Sequence, residues 1–399
     1  MVSFSSPNIS SFLSPKQVKM GDGASEKIGE LFGTWQIQAG NVLIVADREM
    51  IKLGLINKVK MPLEQEQYQV FCFDNIIGEP TIETAMELVE FARERSYVAV
   101  VGMGGGSAMD MAKLAAALAV NTGEVKDYFG ATSFKNQPIP LVMIPTTAGT
   151  GAEATGISML SMEGRKVIII SPQLVPSAAV LDPQLTLTLP PGITAATGMD
   201  ALSHALEGFM SVNAGPFTDS QALSTMAVVS RWLKDVYIDG SNIEARRAMG
   251  FAAYTGGLCL NAGVVLGHSV AYTIANRAKM SHGVSCAMAL PFTVAYNIPA
   301  VSDRLSMAAV QVTGRSDASP DDLVLWISDL NSFLKIPGSL KEIGLKKEDL
   351  GEMVEECLTR YPRPTNPMPI TSEALKVFYD MMFEGDIKGC IDVFGNASV

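Results

Sequence analysis

Histidine is almost missing from this chain. Three occur in 399 residues, and all of them, His204, His268 and His282, lie in the C-terminal half. Cysteine is sparse as well. Cys72, Cys259, Cys286, Cys357 and Cys390 are widely spread, an odd number with no CxxC spacing, which fits reduced thiols in a cytoplasmic setting. Basic residues are outnumbered: the net charge of -11, with no Lys/Arg cluster, excludes a general affinity for nucleic acid. The serine-rich start, Met1 to Pro15, has no basic segment followed by an apolar core, so it does not read as a signal peptide. No uninterrupted apolar run is long enough to cross a bilayer. The expectation is a soluble cytoplasmic protein. With 48% hydrophobic and 18% charged residues, the chain has the material for two or three well-buried domains.

The few histidines make the run Gly198-Met199-Asp200-Ala201-Leu202-Ser203-His204 stand out. On a helix, residues four apart share a face, so Asp200 and His204 aim a carboxylate and an imidazole at one point. With His268 and His282 they form a donor set able to close around one divalent metal. Imidazole suits zinc, iron, copper and nickel, and one oxygen ligand keeps iron(II) and manganese(II) open. The plainer reading is an ordinary Asp at a helix start plus three separate core histidines.

The first half alternates short apolar runs with amphipathic stretches. Asn41–Ala46, Gln69–Phe73, Val98–Val101 and Leu141–Pro145 read as buried strands, and Arg165–Ile170 with Ala178–Pro183 are expected to complete the same sheet. Thr81 to Ser96 reads as a helix, with Thr81 as N-cap and Glu83 in the first turn. Strands alternating with helices imply a parallel α/β sheet. After Pro190-Pro191-Gly192 the pattern is helical almost to the end. The chain therefore divides into an α/β domain, residues 1–191, and an all-helical domain, residues 192–399.

The third strand runs into Gly102-Met103-Gly104-Gly105-Gly106-Ser107, followed by a helix expected over Ala108–Val120. Strand, glycine turn and helix bring free backbone N–H groups and the positive end of a helix dipole to an anion, and a phosphate is the favoured ligand over a bare turn. Lys113 comes too late for a P-loop. The usual dinucleotide fingerprint would follow the first strand instead. Asp47, at the end of the first strand, stands where an acid holds a ribose 2′-hydroxyl, or is simply solvated. Thr146-Thr147-Ala148-Gly149-Thr150-Gly151 lies at the ligand-binding edge of the sheet, or is a polar turn.

Together these motifs resemble the iron-containing (group III) alcohol dehydrogenase family. The resemblance runs from Gly21-Asp22-Gly23-Ala24 to Arg363-Pro364-Thr365. Its most specific parts are Gly104 to Lys113, Pro145 to Glu153, Gly198 to His204, and His282-Gly283 followed by Pro291. It implies a Rossmann-like N-terminal domain binding NAD(H) and an all-α metal-binding domain, the dehydroquinate synthase-like architecture. It assigns the metal to Asp200, His204, His268 and His282, with iron(II) expected and zinc, manganese or nickel open. It assigns cofactor contacts to Asp47, Gly104, Gly105, Gly106, Ser107, Thr146, Thr147, Thr150, Lys166 and Leu185. Asp47 favours NAD over NADP. The implied reaction interconverts a small aldehyde and its primary alcohol by hydride exchange with nicotinamide. Relatives are commonly dimers or larger.

The chain departs from the family pattern in two respects. Tyr272 stands where many relatives carry a further histidine, so either Tyr272 or a water–ribose chain moves the proton, or the pH profile differs. Ile157 and Cys259 replace pocket aromatics. Arg277 and Lys279, before His282, either recognise an anionic aldehyde (carboxylate, sulfonate or phosphonate) or are solvated loop or interface charges. A dehydroquinate-synthase-like lyase and a non-catalytic relative are the competing classes. The metal set departs from the first, and the complete four-ligand set argues against the second.

Overall fold

The apolar runs at Asn41–Ala46, Gln69–Phe73 and Leu141–Pro145 are strands over those same residues in the computed structural model, which describes residues 11–395. The first ten residues of the serine-rich start lie outside that range. In chain order the strands are β1 (Gln17–Met20), β2 (Asn41–Ala46), β3 (Gln69–Phe73), β4 (Ala99–Gly104), β5 (Gly130–Ala131), β6 (Leu141–Pro145), β7 (Ile157–Met162), β8 (Arg165–Ile170) and β9 (Ala178–Leu181). The chain divides into two compact units, Leu13–Leu189 and Pro190 onward.

The first unit is built on a six-stranded, all-parallel sheet in the order β1-β9-β6-β4-β2-β3. Alternate residues of its central strands bury in opposite directions. Leu43, Val45 and Val100 join one apolar cluster, and Val42, Ile44, Ala99 and Val101 join another. Both faces are covered, which is why these strands read as continuous apolar runs. The helix predicted after Pro80 spans Ile82–Arg93, and Thr81 caps it by accepting from the Thr84 N–H at 3.3 Å. The Gly21–Ala24 turn is tied to the end of β9: Asp182 accepts from Ser25 Oγ at 2.6 Å and from the Gly23 N–H at 3.1 Å.

One strand is not where the sequence reading put it. β8 leaves the main sheet and pairs antiparallel with β7, and with β5 they make a separate three-stranded sheet. The two residues between β7 and β8, Glu163 and Gly164, both have positive φ (51° and 72°). A two-residue turn of that kind folds the chain directly back on itself, so the next strand has to run antiparallel beside its predecessor. The apolar run alone carries no such information.

From Pro190 on, every described regular element is helical. The helix Pro191–Met210 is central: nearly all its side chains are buried, and the helices Pro216–Ile238, Ile243–Cys259 and His282–Thr313 pack around it. Proline at its first turn costs no hydrogen bond. The helix His282–Thr313 is long and apolar enough to cross a bilayer by length and composition alone. However, 78% of its apolar window is buried inside the fold, as in a core helix.

Candidate active site

Three helices of the second unit bring the histidines together. Asp200 and His204 share the inward face of Pro191–Met210, His268 lies in the first turn of Leu266–Ala278, and His282 opens His282–Thr313. The Asp200 Oδ1 atom lies 3.7 Å from His204 Nε2 and 3.9 Å from His282 Nε2. The His268 ring stacks on His204 at 5.0 Å between centroids and meets His282 at 5.3 Å. Asp200, His204 and His268 are buried, and His282 is partly exposed.

Within this cluster the Asp200 Oδ1 and His268 Nε2 atoms are buried without any hydrogen-bond partner. An orphaned buried carboxylate oxygen and imidazole nitrogen are costly unless a ligand satisfies them. Their convergence with two further imidazoles fits a divalent cation. Burial alone would push the Asp200 carboxyl up, but the neighbouring His204, His282 and His268 rings hold it below its ordinary value. Thus the oxygen stays charged.

Two neighbours were not picked out from the sequence. Glu207 Oε1 lies 2.6 Å from His268 Nδ1, and its Oε2 accepts from the Val265 and His268 N–H groups at 2.9 and 3.2 Å. The carboxylate only accepts, so Nδ1 carries the proton and Nε2 keeps its lone pair for the cluster. The available signal was spacing: Glu207 follows Asp200 by seven residues and His204 by three, on the same helix face. Cys286, four residues after His282, places its thiol 3.5 Å from His282 Nε2. With Asp200, His268 and His282 it forms a group whose donor atoms all lie within 4.8 Å of one another.

Tyr272 is buried beside the cluster. Its ring stacks on His282 at 5.4 Å and 15° and packs on Tyr361 at 4.9 Å. Burial pushes its phenol well above the ordinary value, with the Arg363 charge pulling the other way.

In the first unit the glycine turn follows β4, and the helix after it spans Gly106–Leu118, two residues earlier than expected. Gly104 has φ 151°, a conformation side chains rarely adopt, and a Cβ there would collide with the Asp47 carboxylate. That carboxylate accepts the Gly105 N–H at 2.8 Å, and the Gly104 carbonyl accepts the Thr146 N–H at 2.9 Å. The helix has no side-chain cap, so its first-turn N–H groups, from Gly106 and Ser107 on, suit an anion. Thr147 Oγ1, beside the turn, is buried without a partner, and Thr150 packs against Gly106.

The remaining expected residues have these surroundings. Lys166 on β8 pairs with Glu79 at 2.5 Å. The Leu185 side chain lies in the apolar core beneath the sheet. Cys259 is fully buried, its thiol donates to the Thr255 carbonyl at 3.3 Å, and it packs where Gly208 leaves room between two helices. It is core, not pocket. The Ile157 carbonyl accepts from the buried Lys113 ammonium at 2.5 Å. Arg277 is held by Glu356 at 2.5 Å and Glu352 at 3.5 Å, and Lys279 is the exposed, positive-φ end of its helix. The guanidinium of Arg277 is thus neutralised by its own fold, which removes the basis for reading it as the anion-recognising cation.

Comparison with known proteins agrees with this layout. The profile described as iron-containing alcohol dehydrogenase matches residues 15–183, and that of the family's C-terminal region matches residues 194–383. Long-chain-alcohol dehydrogenase 1 of Geobacillus thermodenitrificans is 35% identical over 362 residues, covering 88% of this chain and 92% of that protein. Among solved structures, a 1,3-propanediol oxidoreductase superposes with TM-score 0.90 at 28% identity, over 94% of this chain and all of the other. Sulfoacetaldehyde reductase from Bifidobacterium kashiwanohense, in complex with NAD+, superposes with TM-score 0.86 at 28% identity, over 94% and 99%. Two profiles that between them span most of the sequence, on a fold shared end to end with these enzymes, leave one conclusion: the chain belongs to the iron-containing alcohol dehydrogenase family.

Proposed function

We propose that this protein is an NAD(H)- and metal-dependent alcohol dehydrogenase or aldehyde reductase, interconverting a small aldehyde and its primary alcohol. The observation that carries the reading is the pair of orphaned buried atoms, Asp200 Oδ1 and His268 Nε2, inside a cluster of three imidazoles and one carboxylate. Asp200, His204, His268 and His282 would hold the metal, with iron(II) as the family's ion. When bound, a divalent metal supplies Lewis acidity at the substrate oxygen while nicotinamide exchanges hydride with the adjacent carbon.

The chain's own residues do the rest. Glu207 keeps the His268 lone pair facing the cluster. The open helix start at Gly105, Gly106 and Ser107 suits the cofactor's pyrophosphate, with Thr146, Thr147 and Thr150 around it. Asp47 sets a negative charge where a 2′-phosphate would lie, favouring NAD over NADP. Burial keeps the Tyr272 phenol protonated beside His282, so it is the candidate proton donor in aldehyde reduction, with its phenolate the acceptor in the reverse direction. Lys166 and Leu185 remain cofactor contacts by family resemblance alone.

We also infer a cytoplasmic homodimer or larger homo-oligomer. The unbridged cysteines support the first point, and the edge strand β1, with Val18 and Met20 exposed, supports the second. Light scattering of the purified protein tests the oligomer.

The activity test is NADH oxidation by protein reconstituted anaerobically with iron(II), offered propionaldehyde and glycolaldehyde. Turnover that disappears on Asp200→Ala is expected. No turnover with any aldehyde, in protein that binds both metal and NADH, would overturn the reading.

A further inference from the structure

Arg363 carries a charge that the fold leaves without a counter-ion. Its Nε is buried and has no hydrogen-bond partner, and no carboxylate among the described residues lies within ion-pair distance of it. Its one donation, from Nη1 to the carbonyl of the adjacent Pro362, is long at 3.4 Å. The guanidinium lies 5.7 Å from the centre of the Tyr272 ring, which in turn stacks on His282 of the metal cluster. A ring face satisfies the flat face of a guanidinium. The N–H donors lie in its plane and, apart from the long Nη1 contact to Pro362, stay open.

The segment that bears Arg363 is firmly placed. The Tyr361 carbonyl accepts from Ser269 Oγ at 2.5 Å, and Thr365 Oγ1 donates to the Val264 carbonyl at 2.5 Å. Asn366 accepts from the Leu266 N–H at 3.1 Å and donates to Asn297 Oδ1 at 2.9 Å. Both ends are thus fastened to the helix that carries His268. A fixed backbone holding an unpaired cation beside a catalytic cluster is a preorganised anion anchor.

We propose that Arg363 recognises an anionic group on the substrate, so that the site takes short aldehydes bearing a carboxylate, sulfonate or phosphonate. This rests on the dehydrogenase reading above, and it moves anion recognition from Arg277, which Glu356 neutralises, to Arg363, which no carboxylate among the described residues neutralises. The forked N–H geometry of arginine matches these oxyanions with two parallel hydrogen bonds, which lysine cannot reproduce.

The test separates the anchor from the chemistry. Calorimetry on the iron(II)-loaded protein with NAD+ would compare 4-hydroxybutyrate with 1-butanol, in wild type, Arg363→Gln and Arg363→Lys. In parallel, NADH oxidation would be followed with succinic semialdehyde and with butyraldehyde. The expected result is tighter binding of the anionic alcohol by wild type, weakened roughly ten- to hundredfold in Arg363→Gln and only in part restored by lysine. KM for succinic semialdehyde rises in parallel, while butyraldehyde kinetics hold. Equal binding of 4-hydroxybutyrate by wild type and Arg363→Gln, or an equal loss on both aldehydes, would overturn the anchor while leaving the dehydrogenase intact. Arginine-dependent binding without any NADH oxidation would keep the anchor and overturn the dehydrogenase. Matching unfolding temperatures show that each variant is folded.

Discussion

Glu207 accepts the Nδ1 proton of His268 at 2.6 Å and, through its other oxygen, the backbone N–H of the same residue at 3.2 Å. One carboxylate thus fixes both the ring and the helix start that carries it. Glu207→Gln keeps the shape but loses the charge, and its amide is free to turn a donor toward Nδ1, reversing the tautomer. Metal affinity should fall about 10- to 100-fold, as for other carboxylates behind a ligating histidine. Competition against a chelator of known affinity measures it. Unchanged affinity would mean that His268 does not bind the metal through Nε2.

Asp47 does two jobs that substitution can separate. Its carboxylate accepts the Gly105 N–H at 2.8 Å, and its charge faces the place proposed for the adenosine ribose. Asp47→Asn retains an acceptor for Gly105 and removes the charge. Discrimination against NADPH should drop by at least about tenfold, since a lost repulsion of about 1.4 kcal/mol is a factor of ten. The ratio of kcat/KM for NADH and NADPH reports it directly. A ratio that stays constant would reduce Asp47 to a brace for the glycine turn.

The sequence made some of this plain and hid the rest for physical reasons. Three histidines were conspicuous because so few compete with them, and Asp200 followed from its spacing to His204. Glu207 sits at equally good spacing, but it is one of 41 acidic residues, and nothing local distinguishes it from a solvated one. Thr81 was legible because a cap is a contact over three residues. β8 was misplaced because its partner is set by the turn at Glu163 and Gly164, not by its own apolar run. Arg277 and Arg363 look alike in sequence. Only the fold shows that one meets Glu356 and the other meets no acid among the described residues.

That contrast makes Arg277 a control. Arg277→Ala should leave the preference between neutral and anionic aldehydes unchanged. It should lower stability by about 1–3 kcal/mol, because the buried Glu356 loses its main partner. Urea unfolding measures the second effect, and paired aldehyde kinetics the first. A selective loss on the anionic aldehyde would return Arg277 to the substrate site.

Glu153 is fully buried in the α/β unit, with Oε1 unpartnered. Burial pushes its carboxyl up to about 7, against the downward pull of its own backbone N–H and of Lys113. The unfolded chain releases this proton near the ordinary 4.5, so between about pH 4.5 and 7 the folded state binds more proton than the unfolded one. Stability must then fall as pH rises through that window, by about 3 kcal/mol at most. Glu153→Gln removes the titration and should flatten the slope. Unfolding of wild type and variant across that range checks it. A wild-type-minus-variant difference that is level, or that rises with pH, would refute it.

Gly283 and Gly250 predict opposite outcomes for the same substitution. Gly283 follows His282, and a Cβ on it would press well inside contact distance on the Ala196 carbonyl oxygen, one turn before Asp200. The obstacle is backbone, so no side chain is there to swing aside. Gly283→Ala must push the start of the His282 helix away from the Asp200 helix, widening the 3.9 Å approach of His282 to Asp200. Stability should fall by about 1–3 kcal/mol, and metal affinity with it. Gly250 also lies within a helix, Ile243–Cys259, but a Cβ there meets nothing within 4 Å. Gly250→Ala should stabilise by about 0.5–1 kcal/mol, because the unfolded chain loses freedom and the folded one loses nothing. Its metal affinity should not change. Denaturant unfolding and chelator competition on both variants test the pair. If Gly283→Ala behaved like Gly250→Ala, the contact between these two helices would not be what sets the position of His282.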